Sequence, residues 1–452
     1  MNRTITAASF GACALGGLPL AAHADAVTDW NANAGAAAIA ACISPSDDPL
    51  HESRLYAMLH LAVHDALNAI DRRSSPYAYD AAAPAGTSPD AATAAAAHDV
   101  LVSQLQRIGA PFSPQCIAAG VARAEADYAR ALATIADGPA KTQGISLGQA
   151  AAAAIIAKRA NDGSDTPLVD PNFAQGTSPG EWRFTPGFPI AFAPGWGNVK
   201  PFVLKDPAQF RPGPPLAVSC DGKHPKNRAG CRKYAADLNE IKALGGDGIG
   251  THSARTEEQT EIALFWVESS PLQWNRIARG VSRAQGLDGW RNARLFALLN
   301  MALADGYVAS FATKYHYLFW RPVTAIHEAA NDGNPATHAD PAWTPLRPTP
   351  PIPEYESAHS VQGAAAAAVM KRVFGRDHVH FATCSLTLPA GSTCNDVTPV
   401  QRGYRGFWHA AEENGISRIY VGFHFRDAVD KGLEHGRRIG DWAVDHALRP
   451  LN

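Results

Sequence analysis

With 452 residues and a formal net charge of −2, the chain is long enough for two or three domain equivalents. Its charge is too balanced for a nucleic-acid coat or a polybasic membrane binder. Hydrophobic residues at 46% and charged residues at 18% exclude wholesale disorder, and aromatics at only 8% in an alanine-rich chain favour closely packed helices over a sheet sandwich.

Residues 1–24 have the pattern of a secretory signal: Arg3 near a positive start, an apolar stretch from Phe10 to Ala22, and the small-x-small site Ala22-His23-Ala24. No later run suggests a membrane span, so a periplasmic or secreted protein is expected. Residues 25–162 read as an N-terminal helical region, with helices at about 29–42, 52–71, 89–108, 114–137 and 143–161. His60 and His64 are spaced like a metal-binding pair, but the residue after His60 is Leu61 where a zinc protease needs Glu. Packing, with Asp65 beside His64, is the preferred reading.

Residues 163–250 form a Pro/Gly-rich irregular insertion; 12 of the 33 prolines fall in 163–225. A helix interrupts it near 232–243. Gly245-Gly246-Asp247-Gly248-Ile249-Gly250 follows no predicted strand and lacks a following Lys-Ser/Thr, so it reads as a loop and not a phosphate cradle. Residues 251–452 form a second helical region, the expected catalytic one. Thr256-Glu257-Glu258-Gln259 predicts a capping box opening a helix to about Glu268. Further helices are expected at about 272–285, 288–318, 358–374, 402–414 and 418–448. The fold class is therefore all-α, a helical bundle or bundles. Outside the signal the cysteines are Cys42, Cys116, Cys220, Cys231, Cys384 and Cys394. Spacing favours Cys220–Cys231 and Cys384–Cys394 as loop staples, with Cys42–Cys116 tying distant helices; free buried thiols are the alternative.

Three C-terminal segments carry candidate chemistry. In Lys314-Tyr315-His316-Tyr317-Leu318-Phe319-Trp320-Arg321-Pro322, the two cations would share a helix face two turns apart, among aromatics. An anion between them would explain the arrangement, as would an amphipathic helix whose cations reach water. In Pro353-Glu354-Tyr355-Glu356-Ser357-Ala358-His359-Ser360, Ser357 is the expected N-cap of a helix whose free N–H groups suit an oxyanion. His359 in its first turn could move a proton, or lie on the surface of an ordinary capped helix. In Ser417-Arg418-Ile419-Tyr420-Val421-Gly422-Phe423-His424, Arg418 offers a planar fork for two oxyanion oxygens and His424 sits among apolar residues. A core histidine is the plainer reading of His424 in isolation.

Taken together and in order, Lys-x6-Arg-Pro, Ser-x-His and Ser-Arg-x5-His resemble the superfamily of type-2 phosphatidic acid phosphatases, class A acid phosphatases and vanadium-dependent haloperoxidases. The surrounding wording resembles most the haloperoxidase branch among exported bacterial relatives. The resemblance covers roughly 255–450, more weakly His64-Asp65-Ala66-Leu67-Asn68 upstream. It implies that Lys314, Arg321 and Arg418 neutralise the oxygens of a bound vanadate, with Ser357 and the backbone N–H of Ala358 donating hydrogen bonds. It implies His424 as the metal ligand and His359 as acid/base. The implied partners are hydrogen peroxide and halide. The alternative is an exported acid phosphatase in which phosphate occupies the same pocket, a phosphomonoester is the substrate and His424 is the nucleophile. No nucleic-acid partner is implied, and a homodimer is compatible with the pattern. The chain departs from the family at Ala358, where Gly is usual, and at Ala428, where an acid often orients the second histidine. Asp427 or Asp430 is the expected replacement. Ile352 and Phe311 fall where halide selection is expected, Glu268 is a candidate partner for a pocket arginine, and His316 and His327 are expected to pack.

Overall fold

A computed structural model describes residues 25–220 and 225–451, so the expected signal segment lies outside the described residues. Thirteen α-helices dominate it, as an all-α chain requires. The first five are α1 (Ala26–Ala40), α2 (Pro49–Ile70), α3 (Pro89–Arg107), α4 (Pro114–Ala133) and α5 (Pro139–Lys158). Asp48, Ser88 and Ser113 each cap a helix whose first turn begins with proline. The side chain satisfies a free N–H, and proline has none to lose. Then follow α6 (Pro225–Leu244), α7 (Glu257–Phe265), α8 (Ser270–Gln285) and α9 (Gly289–Tyr317). The expected capping box at Thr256 and Gln259 is formed. The last four are α10 (Pro322–Glu328), α11 (Ala358–Phe374), α12 (Phe407–Tyr420) and α13 (Arg426–His446).

The long α9 is the axis of the molecule, packed against α2 on one side and α11 on the other. It is long and apolar enough to cross a membrane, contrary to the expectation that no such run exists, but 94% of its most apolar window is buried inside the protein. One apolar core joins α1–α5 to α8, α9, α11 and α12, so the two helical regions share an interior. The Pro/Gly-rich insertion is anchored at several of its described residues. Asp305 on α9 accepts hydrogen bonds from the backbone N–H groups of Phe202, Val203 and Leu204, while Trp182 and Trp196 are buried. Four short strands escaped the sequence reading: β1 (Val169–Asp170) pairs antiparallel with β2 (Ala191–Phe192), and β3 (Phe381–Thr383) with β4 (Arg402–Tyr404).

All three expected disulfides form, Cys42–Cys116, Cys220–Cys231 and Cys384–Cys394. His60 and His64 turn to different side-chain partners. His60 meets the Asn31 amide, whereas His64 lies between Asp65 and Ser74. The Gly245–Gly250 stretch is a loop in which Asp247 accepts from the backbone of Ile249 and Thr251.

Candidate active site

Lys314 and Arg321 do not lie on one helix face. Helix α9 ends at Tyr317 through a left-handed Leu318, and Arg321 is the residue that caps α10 ahead of Pro322. Both cations turn instead onto the extended chain before α11. Lys314 Nζ donates to the carbonyls of Pro353 (3.0 Å) and Glu354 (2.8 Å), and Arg321 Nε to that of Ile352 (2.7 Å). The sequence expectation of paired cations survives; its geometry is corrected.

The next segment behaves as its sequence requires. Ser357 caps α11, and its Oγ accepts from the Ser360 amide and the Ser360 hydroxyl. With two bonds accepted, the Ser357 hydroxyl proton is left to donate elsewhere. Ala358 occupies the first helical position, where its N–H has no partner within the helix and its methyl joins Phe311 and Ile352 in one apolar cluster. The buried His359 ring lies against the backbone of Glu268, and its Nε2 has no partner.

The third segment is not one continuous helix from residue 418. Arg418 stands in the last turn of α12; the chain then breaks at residues 421–425 before α13 begins at Arg426. Gly422, at φ 86°, makes that break. Arg418 Nη1 donates to the Trp266 carbonyl (2.7 Å), and its guanidinium stands 5.1 Å from the centre of the Phe423 ring. The break brings the buried His424 back under Arg321, whose Nη1 lies 3.1 Å from His424 Nε2.

Glu354 orients His424. His424 Nδ1 lies 3.0 Å from Glu354 Oε1, which also accepts from the Phe425 amide at 3.0 Å. An arginine N–H can only donate, so it requires a lone pair on Nε2 and places the ring proton on Nδ1. The expected replacements are elsewhere: Asp427 pairs with Lys233, and the Asp430 carboxyl is accompanied by Arg426 and Lys233. Sequence reasoning looked one turn after the histidine and missed an acid seventy residues earlier, although Glu354 lay three positions before Ser357. Glu268 does not meet a pocket arginine; it is fully buried against Arg276. His316 rests edge-on against Tyr317 and His327 meets the Trp343 carbonyl, both packing roles.

Burial, together with the surrounding Arg321, Lys314 and Arg418 charges, holds the His424 imidazole well below its ordinary range and therefore neutral. Burial and then Arg418 do the same to His359. Burial lowers Arg321 to about 10 and, with Arg321 beside it, Arg418 to about 9. Lys314 is held well below its usual value by burial and Arg321. None of these three cations meets a carboxylate within salt-bridge distance among the described residues, since their contacts are carbonyls and His424. Arg321 Nη2, Arg418 Nε and His359 Nε2 are buried without a partner. Buried donors and cations in this number are stabilised by a compact multiply charged anion, and a neutral imidazole nitrogen beside them has the chemistry to ligate a metal or act as a nucleophile. The donor set fits a tetrahedral oxyanion such as vanadate.

The whole fold has known counterparts. It matches a bacterial vanadium-dependent iodoperoxidase with a TM-score of 0.73 and 24% identity, over 94% of this chain and 97% of that one. An apo-type bacterial vanadium-dependent chloroperoxidase matches with a TM-score of 0.66 and 17% identity, over 89% and 94%. The chain thus has the vanadium haloperoxidase fold. The family model described as the VCPO second helical-bundle domain matches residues 294–452. Vanadium chloroperoxidase of Curvularia inaequalis is 26% identical over 237 residues, which are 41% of this chain and 38% of that protein's length. Fold and matched segment together make the chain similar to vanadium haloperoxidases, most specifically over the C-terminal helical bundle.

Proposed function

We propose that this chain is a vanadate-dependent haloperoxidase that oxidises halide with hydrogen peroxide. The observation that carries the reading is the neutral His424, whose Nε2 lone pair is fixed by Glu354 behind it and faces a group of buried cations. In this reading Lys314, Arg321 and Arg418 hold the oxyanion, the Ser357 hydroxyl and the Ala358 N–H donate to it, and His424 Nε2 is the metal ligand. The chemistry supplied by bound vanadate is Lewis-acid activation of peroxide toward halide.

The chain's own residues do the remaining work. Glu354 keeps the His424 proton on Nδ1, so Nε2 carries a lone pair without a prior deprotonation, one that Arg321 Nη1 would give up to the metal. His359 Nε2, neutral and unpartnered, would accept a proton from hydrogen peroxide and deliver it to a hydroxide, which then departs as water. Phe311, Ile352 and Ala358 line an apolar wall, which strengthens each charge interaction by excluding water. Three disulfides agree with action in an oxidising, exported compartment. The similar structures are named for iodide and for chloride, so the halide is left to experiment.

The test is a paired assay of purified protein loaded with vanadate. Peroxide-dependent oxidation of bromide or iodide is expected. Steady phosphomonoester turnover inhibited by vanadate, with no halide oxidised at full vanadate occupancy, would instead make the protein a phosphatase that uses His424 as nucleophile and holds phosphate in the same pocket.

A further inference from the structure

A second constellation lies at the other end of α9. Ser74 Oγ is 2.7 Å from His64 Nε2, and His64 Nδ1 is 2.9 Å from Asp65 Oδ1. The Asp65 carboxyl also accepts from the backbone N–H groups of Tyr77, Ala78 and Tyr79 at 2.9, 2.6 and 2.9 Å. Those bonds hold it still and make it an acceptor, which places the imidazole proton on Nδ1. The Nε2 lone pair then accepts from the Ser74 hydroxyl. Hydroxyl, imidazole and carboxylate in series are the arrangement that activates a serine, and geometry, not order in the chain, defines it. The segment is braced on both sides. Asn68 Oδ1 accepts from the Arg73 and Ser74 amides, both at 3.0 Å, and the Ser75 amide donates to the Arg449 carbonyl at 2.9 Å.

Packing alone would account for such a network sealed in the core. Here Ser74 and His64 line a cavity of about 270 Å³, together with Leu67, Trp290, Arg291 and Arg294. Arg294 is about 30 Å from Lys314 along α9, twenty residues at 1.5 Å each, so the oxyanion pocket does not use this cavity. The Trp290 indole is fixed by its N–H on the Leu67 carbonyl at 3.0 Å. Arg294 Nε donates to the Leu448 carbonyl at 2.8 Å, which leaves its two Nη groups for other partners. Neither Arg291 nor Arg294 meets a carboxylate within salt-bridge distance among the described residues, whereas Arg73 on the same wall is paired with Asp71 and Asp288. The volume suits a short molecule with an apolar part against Trp290 and an acidic group against the arginines.

We propose that Ser74, His64 and Asp65 form a second, hydrolytic site for short carboxylic esters that carry an acidic group. Ser74 Oγ bonds to the ester carbonyl carbon as its proton passes to His64 Nε2. The carbon–oxygen bond to the alcohol then breaks, and the alcohol leaves with that proton. A water molecule, deprotonated by His64, attacks the acyl group and releases the acid, and the proton returns to Ser74 Oγ. The Arg73 and Ser74 amides are committed to Asn68, so stabilising the charge on the carbonyl oxygen falls to the Arg294 guanidinium. None of these groups takes part in the haloperoxidase reading.

Two measurements test it. The full chain is treated with a fluorophosphonate, which bonds its phosphorus to an activated serine Oγ and releases fluoride, and the adduct is located by peptide mass spectrometry. The phosphonyl group is expected on Ser74 in the native protein and not after heat denaturation; no adduct on Ser74 overturns the site, and this arm needs no variant to fold. In steady state, hydrolysis of p-nitrophenyl hydrogen succinate is expected from the native chain. It should fall to the rate of the denatured chain in Ser74→Ala, with the helical circular dichroism unchanged. Hydrolysis that survives in Ser74→Ala overturns the role of that hydroxyl. The succinate ester should be preferred to p-nitrophenyl acetate by about tenfold in kcat/KM, the worth of one hydrogen bond to a charge, and Arg291→Ala should erase the preference. A preference for the neutral acetate overturns the acidic-ester assignment.

Discussion

At the scale of single residues the site depends on one tautomer. A histidine that ligates through Nε2 must carry its proton on Nδ1, and Glu354 accepts that proton's hydrogen bond while also accepting from the Phe425 amide. Replacing Glu354 by Ala is expected to weaken vanadate binding by roughly 10–100-fold, the usual cost of losing a ligand's orienting partner; equilibrium binding to the apo-protein measures it. Under the proposed function Lys314→Ala and Arg418→Ala are each expected to lower the oxidation rate on the order of 10²–10³-fold, since each would remove a charge from the reacting anion in a dry pocket; steady-state kinetics read it, and an unchanged rate would contradict the role. The residues themselves were legible because lysine, arginine and histidine in fixed spacing have few other reasons to recur among apolar neighbours. Glu354 was not, because its partner is seventy positions away and no linear spacing encodes that contact. Ala358 in place of glycine proves easy to explain, since the first position of a helix needs no unusual backbone.

At the scale of elements, three glycines set how α13 meets α11. At Gly436 an added Cβ would stand 2.0 Å from the Val361 carbonyl oxygen, and at Gly432 one would stand 2.7 Å from that of Ser357. Gly440 repeats the contact against Ala365 one turn on. Backbone of one helix touches backbone of the other, and this fixes the N-terminus of α11, where Ser357 and His359 begin. Gly436→Ala should cost about 1–3 kcal/mol by overpacking, visible as a lowered midpoint in denaturant. Sequence patterning gave most helices well, but it ran one helix through residues 418–448. Ile419, Tyr420, Val421, Phe423 and Phe425 are apolar enough to extend a helix. Gly422 at positive φ, close against Gly245 and Pro345, ends it instead. The same limit placed Arg321 on the helix of Lys314: periodicity sees the apolar stripe but not the left-handed turn at Leu318 that leaves it.

At the scale of the whole molecule, the N-terminal helices are built into the interior of the site's own bundle. Glu52 on α2 is buried, and burial, resisted by hydrogen bonds from Ser269 and Ser44, raises its pKa to about 8. Its protonated form therefore favours the folded state. That contribution is full below about 4.5, the ordinary glutamate value, and is lost as pH rises through about 8. Wild type should lose more stability between about pH 6 and pH 9 than Glu52→Gln does, as read by chemical denaturation at both values. The Cys42–Cys116 link closes a loop of 74 residues between α1 and α4. Replacing both cysteines with serine should cost about 2–5 kcal/mol by freeing the unfolded chain. The shared core was not legible in the sequence, since composition marks the Pro/Gly-rich insertion as a boundary while the packing of α9 against both α2 and α11 removes it.

The most direct measurement is a crystal structure of the protein soaked in vanadate. The expected result is vanadium bonded to His424 Nε2, with its oxygens against Lys314, Arg321 and Arg418 and the His424 Nδ1–Glu354 hydrogen bond intact. Vanadate bound elsewhere, or held in this pocket with His424 turned away from the metal, would contradict the account.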